Sequence, residues 1–404
     1  MSTETQTLTF EKLVKAPVKE VFRAFTNATA LREWMCDVAT VDPHPSGRFY
    51  ASWNNGYYAC GEYTSVQAEQ EIALNWFGRN DPGPTQVVVT LSAGDGATRV
   101  SLVHRGLGTG EEWANTRDQI DRGWKTSLEN LVSVLETGQD LRFVLRPMMG
   151  ITFGEFNPEA AKKLGVPVTQ GIRLDSTLEG MGARAAGLQG DDVIVEMAGQ
   201  SITDYPSLTN TLQGYRAGNQ LEVVFYRGPE KKAVQMELSR RPLHEIPATT
   251  AELAEILRHK FAEQDVALAQ VFEGVTEEEA SHKPAPDEWS AKEVLAHLVL
   301  GERYNPDWIA ELEGGFERWI DDWGGNSNAR TGALVAAYGT LPNLLEEMKR
   351  VEHETVAILA ALAPEFMDRK GSYWRMAYNL LESPYHLNQH IDQIRAAIEA
   401  ARRR

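Results

Sequence analysis

Three histidines carry the spacing that chemistry would need. His386 and His390, in SPYHLNQHIDQIR, stand four residues apart in a stretch that reads as helix, so both side chains leave one face about 5 to 6 Å apart at Cβ. Ile394 and Ile398 continue that stripe toward an apolar core. His297 falls in the apolar face of an earlier helix, beside Val294 and Leu298, where an imidazole without a partner is costly. Three neutral imidazoles around one divalent ion leave a fourth tetrahedral position open, as in zinc sites that act on a substrate. A solvated polar pair at His386 and His390 is the other reading the spacing allows. His259, His282 and His353 have no such setting and read as surface residues.

Helices must position these rings, and residues 248–404 read as four of them. The first runs from about Thr250 to Phe272, with Leu253, Ile256, Leu257 and Phe261 on one side. The second begins at WSAKEVLAHL, where Ser290 and Glu293 form a capping box. The third runs from about Thr331 through Leu362 and stops before Pro364. The last is capped by Ser383 with Pro384 in its first turn, or is already helical from Tyr373 and kinked at Pro384. PAPDEWSAKEVLAHLVLGE and YHLNQHIDQIR resemble the two signature regions of the DinB superfamily, all-α four-helix bundles with a histidine triad. The resemblance places that triad on His297, His386 and His390 and implies a divalent metal, zinc or nickel. It also implies a low-molecular-weight thiol as possible co-substrate, since some relatives transfer thiols activated by the metal. Gln393 and Glu293, one turn from the candidate ligands, are candidate acceptors behind the rings. Tyr304, Glu302 and Tyr385 read as packing or surface residues, and no catalytic residue is assigned.

Residues 1–139 follow a different pattern. Strand-like TLTFEKLV precedes PVKEVFRAFTNATALREWM, in which Val18, Val21, Phe22, Phe25, Leu31 and Trp34 keep helical spacing. SGRFYASW, YYACGEYTSV, IALNWFG, TQVVVTLS and TRVSLVHRG then alternate with Gly, Asn, Asp and Pro, as a meandering antiparallel sheet requires. RGWKTSLENLVSVLETG closes the segment with a long amphipathic helix. This order resembles the START-like SRPBCC superfamily, a helix-grip α/β fold, and most closely the branch named after the activator of heat-shock chaperone ATPase. The Gly47-Arg48-Phe49 step and GEYTSV stand where that branch has similar residues. The resemblance implies a cavity between sheet and helix for a small apolar ligand, and relatives bind lipids, act on polyketides or dock on a chaperone. Trp34, Trp76 and Trp124 are the candidate lining, a packed core being their competing role.

Residues 143–242 form the third segment. The glycines of EGMGARAAG lack the strand-turn-helix context of a dinucleotide loop. AGLQGDDVIVEMAGQSI resembles the PDZ domain of the HtrA type, a β-sandwich-like fold, with Gly182 where the family usually has Pro. The resemblance implies that a protein C-terminus or extended peptide adds a strand to a sheet edge. Met149, Gly150 and Ile151 would hold the terminal carboxylate, and Ile151, Phe153, Leu208 and Leu212 would receive the last side chain. The stretch around Ser327 lacks the glycine, His and Asp partners of a nucleophilic serine.

These readings make the 404-residue chain a multidomain α+β protein. With 40 Lys and Arg against 57 Asp and Glu, its formal charge of −17 repels phosphate backbones, so nucleic acid is not an expected partner. No stretch approaches the roughly 18 apolar residues of a membrane span, and MSTETQTLTF lacks the basic and apolar regions of a secretory leader. A cytoplasmic location is the expectation. Cys36 and Cys60 are too few and too far apart for a disulfide framework. The expected function is an adaptor combining an apolar-ligand cavity, a peptide groove and a three-histidine metal site. The alternative is a metal-dependent thiol S-transferase of the DinB superfamily.

Overall fold

The computed structural model describes residues 4–318 and 327–403, the side chains of 383–389 excepted. Contacts divide the chain into two compact units, one built from Met1–Gln139 with His244–Arg404 and the other from Asp140–Leu243.

The first lobe of the larger unit begins with β1 (Thr5–Val14), α1 (Val18–Thr26) and α2 (Ala28–Trp34). The helical spacing from Val18 to Trp34 predicts one helix, but Asn27 interrupts it with extended backbone and caps α2 by accepting from the Ala30 N–H at 3.0 Å. Strands β2 (Val38–Val41), β3 (Arg48–Ser52), β4 (Tyr58–Gln67), β5 (Glu71–Gly78), β6 (Thr85–Gly94) and β7 (Ala97–Gly108) follow. They form a seven-stranded antiparallel sheet in the order β1-β7-β6-β5-β4-β3-β2. Its buried face alternates with an exposed one, as in β3, where Phe49 and Ala51 point inward and Arg48 and Tyr50 outward. The long helix α3 (Ala114–Thr137) buries Ile120, Trp124, Leu128 and Leu131 in the same core as Val87, Val89 and Leu102 of the sheet.

The unit Asp140–Leu243 contains α4 (Leu141–Val144), β8 (Ile151–Gly154), α5 (Pro158–Leu164), β9 (Ile172–Thr177), α6 (Gly182–Ala185), β10 (Val193–Met197), β11 (Gln200–Ser201), α7 (Tyr205–Leu212), β12 (Gln220–Arg227) and β13 (Glu230–Glu237). Its strands run in the order β13-β12-β10-β9-β8, with β11 on β10, so β8 is an edge strand. Fully buried Asp192 accepts from the Gln189 N–H and from two nitrogens of Arg227, which pins the turn before β10 to β12. Glycine stands at 182 for a steric reason. Its N–H donates to Ser239 Oγ at 2.7 Å, and a Cβ there would lie 1.8 Å from the Glu237 carbonyl oxygen. Proline supplies neither the donor nor the space.

The second lobe of the larger unit is helical: α8 (Thr250–Val271), α9 (Glu277–Ser281), α10 (Ala291–Gly314), α11 (Ser327–Tyr338), α12 (Leu341–Ala361) and α13 (Lys370–Arg402). Ser290 and Glu293 form the capping box of α10. One sequence expectation fails here, and one choice left open is decided. The single third helix is broken into α11 and α12, because Gly339 takes a left-handed φ of 72° and Thr340 caps a new helix with Pro342 in its first turn. The last helix does not start at Ser383; α13 runs unbroken through Pro384 from Lys370. Two apolar clusters fill the bundle, one around Leu295, Leu344 and Ile394 and the other around Leu257, Leu359 and Leu380.

The two lobes meet through buried charge. Glu317 receives both terminal nitrogens of Arg375 at 2.7 and 2.9 Å, the Arg32 guanidinium at 2.7 Å and the Trp308 indole N–H at 2.6 Å. Glu33 on α2 accepts from the Ser372 hydroxyl of α13 at 2.5 Å. Burial pushes the Glu33 carboxyl above its ordinary range against the pull of Arg375. Burial acts the same way on Glu317, but its bonds to Arg375 prevail and hold it low.

Candidate functional site

A cavity of about 620 Å³ opens in the first lobe, walled by Trp76 of β5, Trp124 and Ile120 of α3, Met35 after α2, and Trp53 and Tyr57 of the β3–β4 hairpin. Trp76 and Trp124 lie 5.6 Å apart between ring centroids. Trp34 is not part of this wall. It is 1% exposed, packs edge-on against Phe25 and donates its indole N–H to the Ala24 carbonyl, so it belongs to the core.

A hydrogen-bond relay sets the cavity tryptophans. The Trp124 indole N–H donates to Nδ1 of His104 at 3.0 Å, which leaves the imidazole proton on Nε2. Nε2 lies 2.7 Å from the Thr85 hydroxyl, and that hydroxyl donates to the Trp76 carbonyl. His104 is fully buried, and burial pushes its pKa down to about 4, so the neutral ring this relay requires is the stable form. The relay escapes a sequence reading because His104 stands on a strand with no second titratable residue at a recognisable spacing. Its partners come from β6 and from α3.

In the bundle, the His297 and His390 rings meet edge-to-face with centroids 5.1 Å apart, and Trp289 packs on His297 at 4.9 Å. Two imidazoles bound at the tetrahedral angle with metal–nitrogen distances of ~2.1 Å would have centroids about 5 Å apart, the separation of this pair. His390 Nδ1 lies 2.9 Å from Gln393 Oε1, which directs Nε2 away from Gln393. Glu293 does not serve the rings; it caps α10 and pairs with Lys283. His386 and Tyr385 lie outside the described side chains, and among the described residues no group of three or more His, Cys, Asp or Glu is arranged for a metal. Buried Glu302 accepts from Asn305 at 2.8 Å, and Tyr304 stacks with Trp308.

In the smaller unit Gly150 adopts a left-handed φ of 77°, and a Cβ there would strike the Met181 side chain. Met149 and Leu208 are buried in that unit's core, with Ile151 and Leu212 packed against it. Phe153 on edge strand β8 is 51% exposed and meets Tyr205, the first residue of α7, edge-to-face at 5.2 Å.

A helix-grip-like sheet enclosing a cavity, joined to a helical bundle, defines a mixed α+β protein of several domains. Residues 15–136 match the family described as Activator of Hsp90 ATPase homolog 1-like protein, and residues 260–394 match the DinB superfamily. Over 110 residues, 27% of this chain and 23% of the relative, the sequence is 33% identical to a protein of Haemophilus influenzae named "Probable periplasmic serine protease do/HhoA-like". Over 99 residues it is 27% identical to a "Probable periplasmic serine endoprotease DegP-like" of a Marinomonas species, covering 24% of this chain and 21% of that one. The chain thus spans less than a quarter of the length of these curated relatives. Among solved structures, the Aha1 dimer from Colwellia psychrerythraea shares 16% identity over 33% of this chain and 98% of its own, with a TM-score of 0.30. An HSP90 activator from Plasmodium falciparum shares 24% identity over 32% of this chain and 95% of its own, with a TM-score of 0.29.

Proposed function

We propose that the chain is an adaptor with three binding modules: a START-like ligand domain at 1–139, a PDZ domain at 143–242 and a DinB-like metal-binding bundle at 248–404. The observation that carries this reading is the cavity between α3 and the sheet, a space walled by aromatic rings and of a size to hold a small apolar ligand. The edge position of β8, the left-handed Gly150 before it and the apolar residues of α7 behind it support strand addition by a peptide. The 5.1 Å separation of the His297 and His390 rings supports a divalent ion, with His386 as third ligand. An ion there would polarise a bound ligand atom or lower its pKa, and Gln393 would fix the His390 tautomer. With only two cysteines in the chain, Cys36 buried and Cys60 half-buried, the composition favours a reducing compartment, the cytoplasm.

The cavity is tested with Gly123, which lines it and has open space where a Cβ would stand. Gly123→Trp should abolish calorimetrically measured binding of 2-ethylnaphthalene while the melting temperature holds; unchanged binding would reject the cavity. Elemental analysis should find about one divalent ion per chain, reduced in His297→Ala and His390→Ala. Turnover of a thiol with a generic electrophile by the metal-loaded protein would move the chain to the transferase reading.

A further inference from the structure

Polar groups line the cavity beside its rings, and one set of them gathers around Gly78 at the end of β5. A methyl group built there would lie 2.1 Å from the Tyr57 hydroxyl and 2.6 Å from the Asp81 carboxylate, so both oxygens converge on the space that glycine leaves. Asp81 Oδ2 already accepts the Gly78 N–H at 2.7 Å, which fixes the carboxylate in place. Trp76, only 5% exposed, brings its indole N–H to the same region, and among the described residues that buried donor has no acceptor in full hydrogen-bonding geometry. The Tyr57 hydroxyl lies beside the indole and is a weak partner of that N–H. Tyr57, Trp76 and Asp81 all line the cavity, whereas the Trp124 indole is already satisfied by His104. A buried donor so weakly matched is a standing cost that an incoming oxygen removes.

Building on the apolar-cavity reading, we propose that these groups form a subsite for a single hydroxyl group on an otherwise apolar ligand. The ligand oxygen accepts from the Trp76 indole, and the hydroxyl hydrogen is donated to Asp81. Rotation of the half-buried Tyr57 side chain opens the approach to the indole and lets its phenol bond the same oxygen. A hydrocarbon leaves Trp76 and Asp81 unmatched, and a carboxylate set on the Trp76 indole meets the negative charge of Asp81, while Arg79, which also lines the cavity, is engaged by the Gly56 carbonyl at 2.7 Å. The site therefore selects neutral alcohols or phenols with a bulky apolar body.

Calorimetry on the full chain with 2-naphthaleneethanol, 2-ethylnaphthalene and 2-naphthaleneacetate tests this. The alcohol should bind at least about tenfold more tightly than the hydrocarbon, since a buried donor and acceptor discriminate against a ligand lacking the hydroxyl. The acetate should bind more weakly than the alcohol. Trp76→Phe, which keeps a ring but removes the N–H, and Asp81→Asn should each shrink the alcohol preference toward onefold while 2-ethylnaphthalene still binds. Equal affinities in the native protein, or a preference that survives both substitutions, would overturn the subsite and leave the cavity standing. Failure of both alcohol and hydrocarbon to bind would remove the cavity reading and the subsite with it.

Discussion

Two buried titratable side chains should write opposite limbs of the pH–stability curve. The pKa of His104 falls from 6.5 to about 4 on folding, so between those values the unfolded chain takes up a proton that the folded ring refuses. Stability is therefore lost as pH drops from 6.5 toward 4, by roughly 3 kcal/mol over the window. Urea titrations at several pH values should show that loss in the native protein and its absence in His104→Gln. Glu352 does the reverse. It is 2% exposed in the bundle, neither carboxylate oxygen has a partner among the described residues, and burial, with Asp265 and Glu302 adding to it against Lys349, pushes its pKa up to about 9. Above pH 4.5 the unfolded chain releases this proton and the folded chain keeps it, so stability declines as pH rises toward 9, by roughly 3 kcal/mol at pH 7. Glu352→Gln removes that dependence, and its melting temperature should gain on the native protein steadily between pH 5 and 9. A constant offset would mean that Glu352 is ionised in the fold.

At the scale of elements, α13 links the two lobes of the larger unit. Its N-terminal turns present Ser372 and Arg375 to α2 and to the segment after α10, and the same 33-residue helix carries His386 and His390 further along. Lys370 also donates to the Glu136 carbonyl at the end of α3. Arg375→Ala would leave Glu33 and Glu317 buried with less compensating charge, a change worth about 3 kcal/mol or more. Denaturant midpoints should drop accordingly, and Glu317→Gln added to Arg375→Ala should recover part of the loss. A surface-like change below about 0.5 kcal/mol would show that these charges are hydrated in solution.

At the scale of the whole molecule, the unit Asp140–Leu243 has its own apolar core around Leu174, Ile194 and Phe225, and its ion pair between Asp192 and Arg227 is internal. Expressed alone, residues 140–243 should melt cooperatively by circular dichroism. Residues 1–139 expressed alone should be less stable than the same lobe in the full chain, because Glu33 and Arg32 lose Arg375, Ser372 and Glu317. An equally stable isolated lobe would show that the charged interface contributes nothing to folding.

The sequence by itself determined what depends on neighbours a few residues away. Alternation marked the strands of the first lobe, Ser290 and Glu293 marked the start of α10, and a four-residue spacing marked His386 and His390. Such features follow from backbone periodicity and local hydrogen bonds. Even at this range, the break at Gly339 went against the apolar pattern, because a left-handed glycine ends a helix that hydrophobic spacing alone would continue. Only the tertiary structure decided which lobe packs on which, that Trp34 belongs to the core while Trp76 and Trp124 face a cavity, and that His104 sets their rings. Ser372 and Glu33 are 339 positions apart in the chain, and Trp124 and His104 are 20. Contacts at such separations depend on how whole surfaces fit and on which buried polar groups find partners, and no local pattern of residues encodes that.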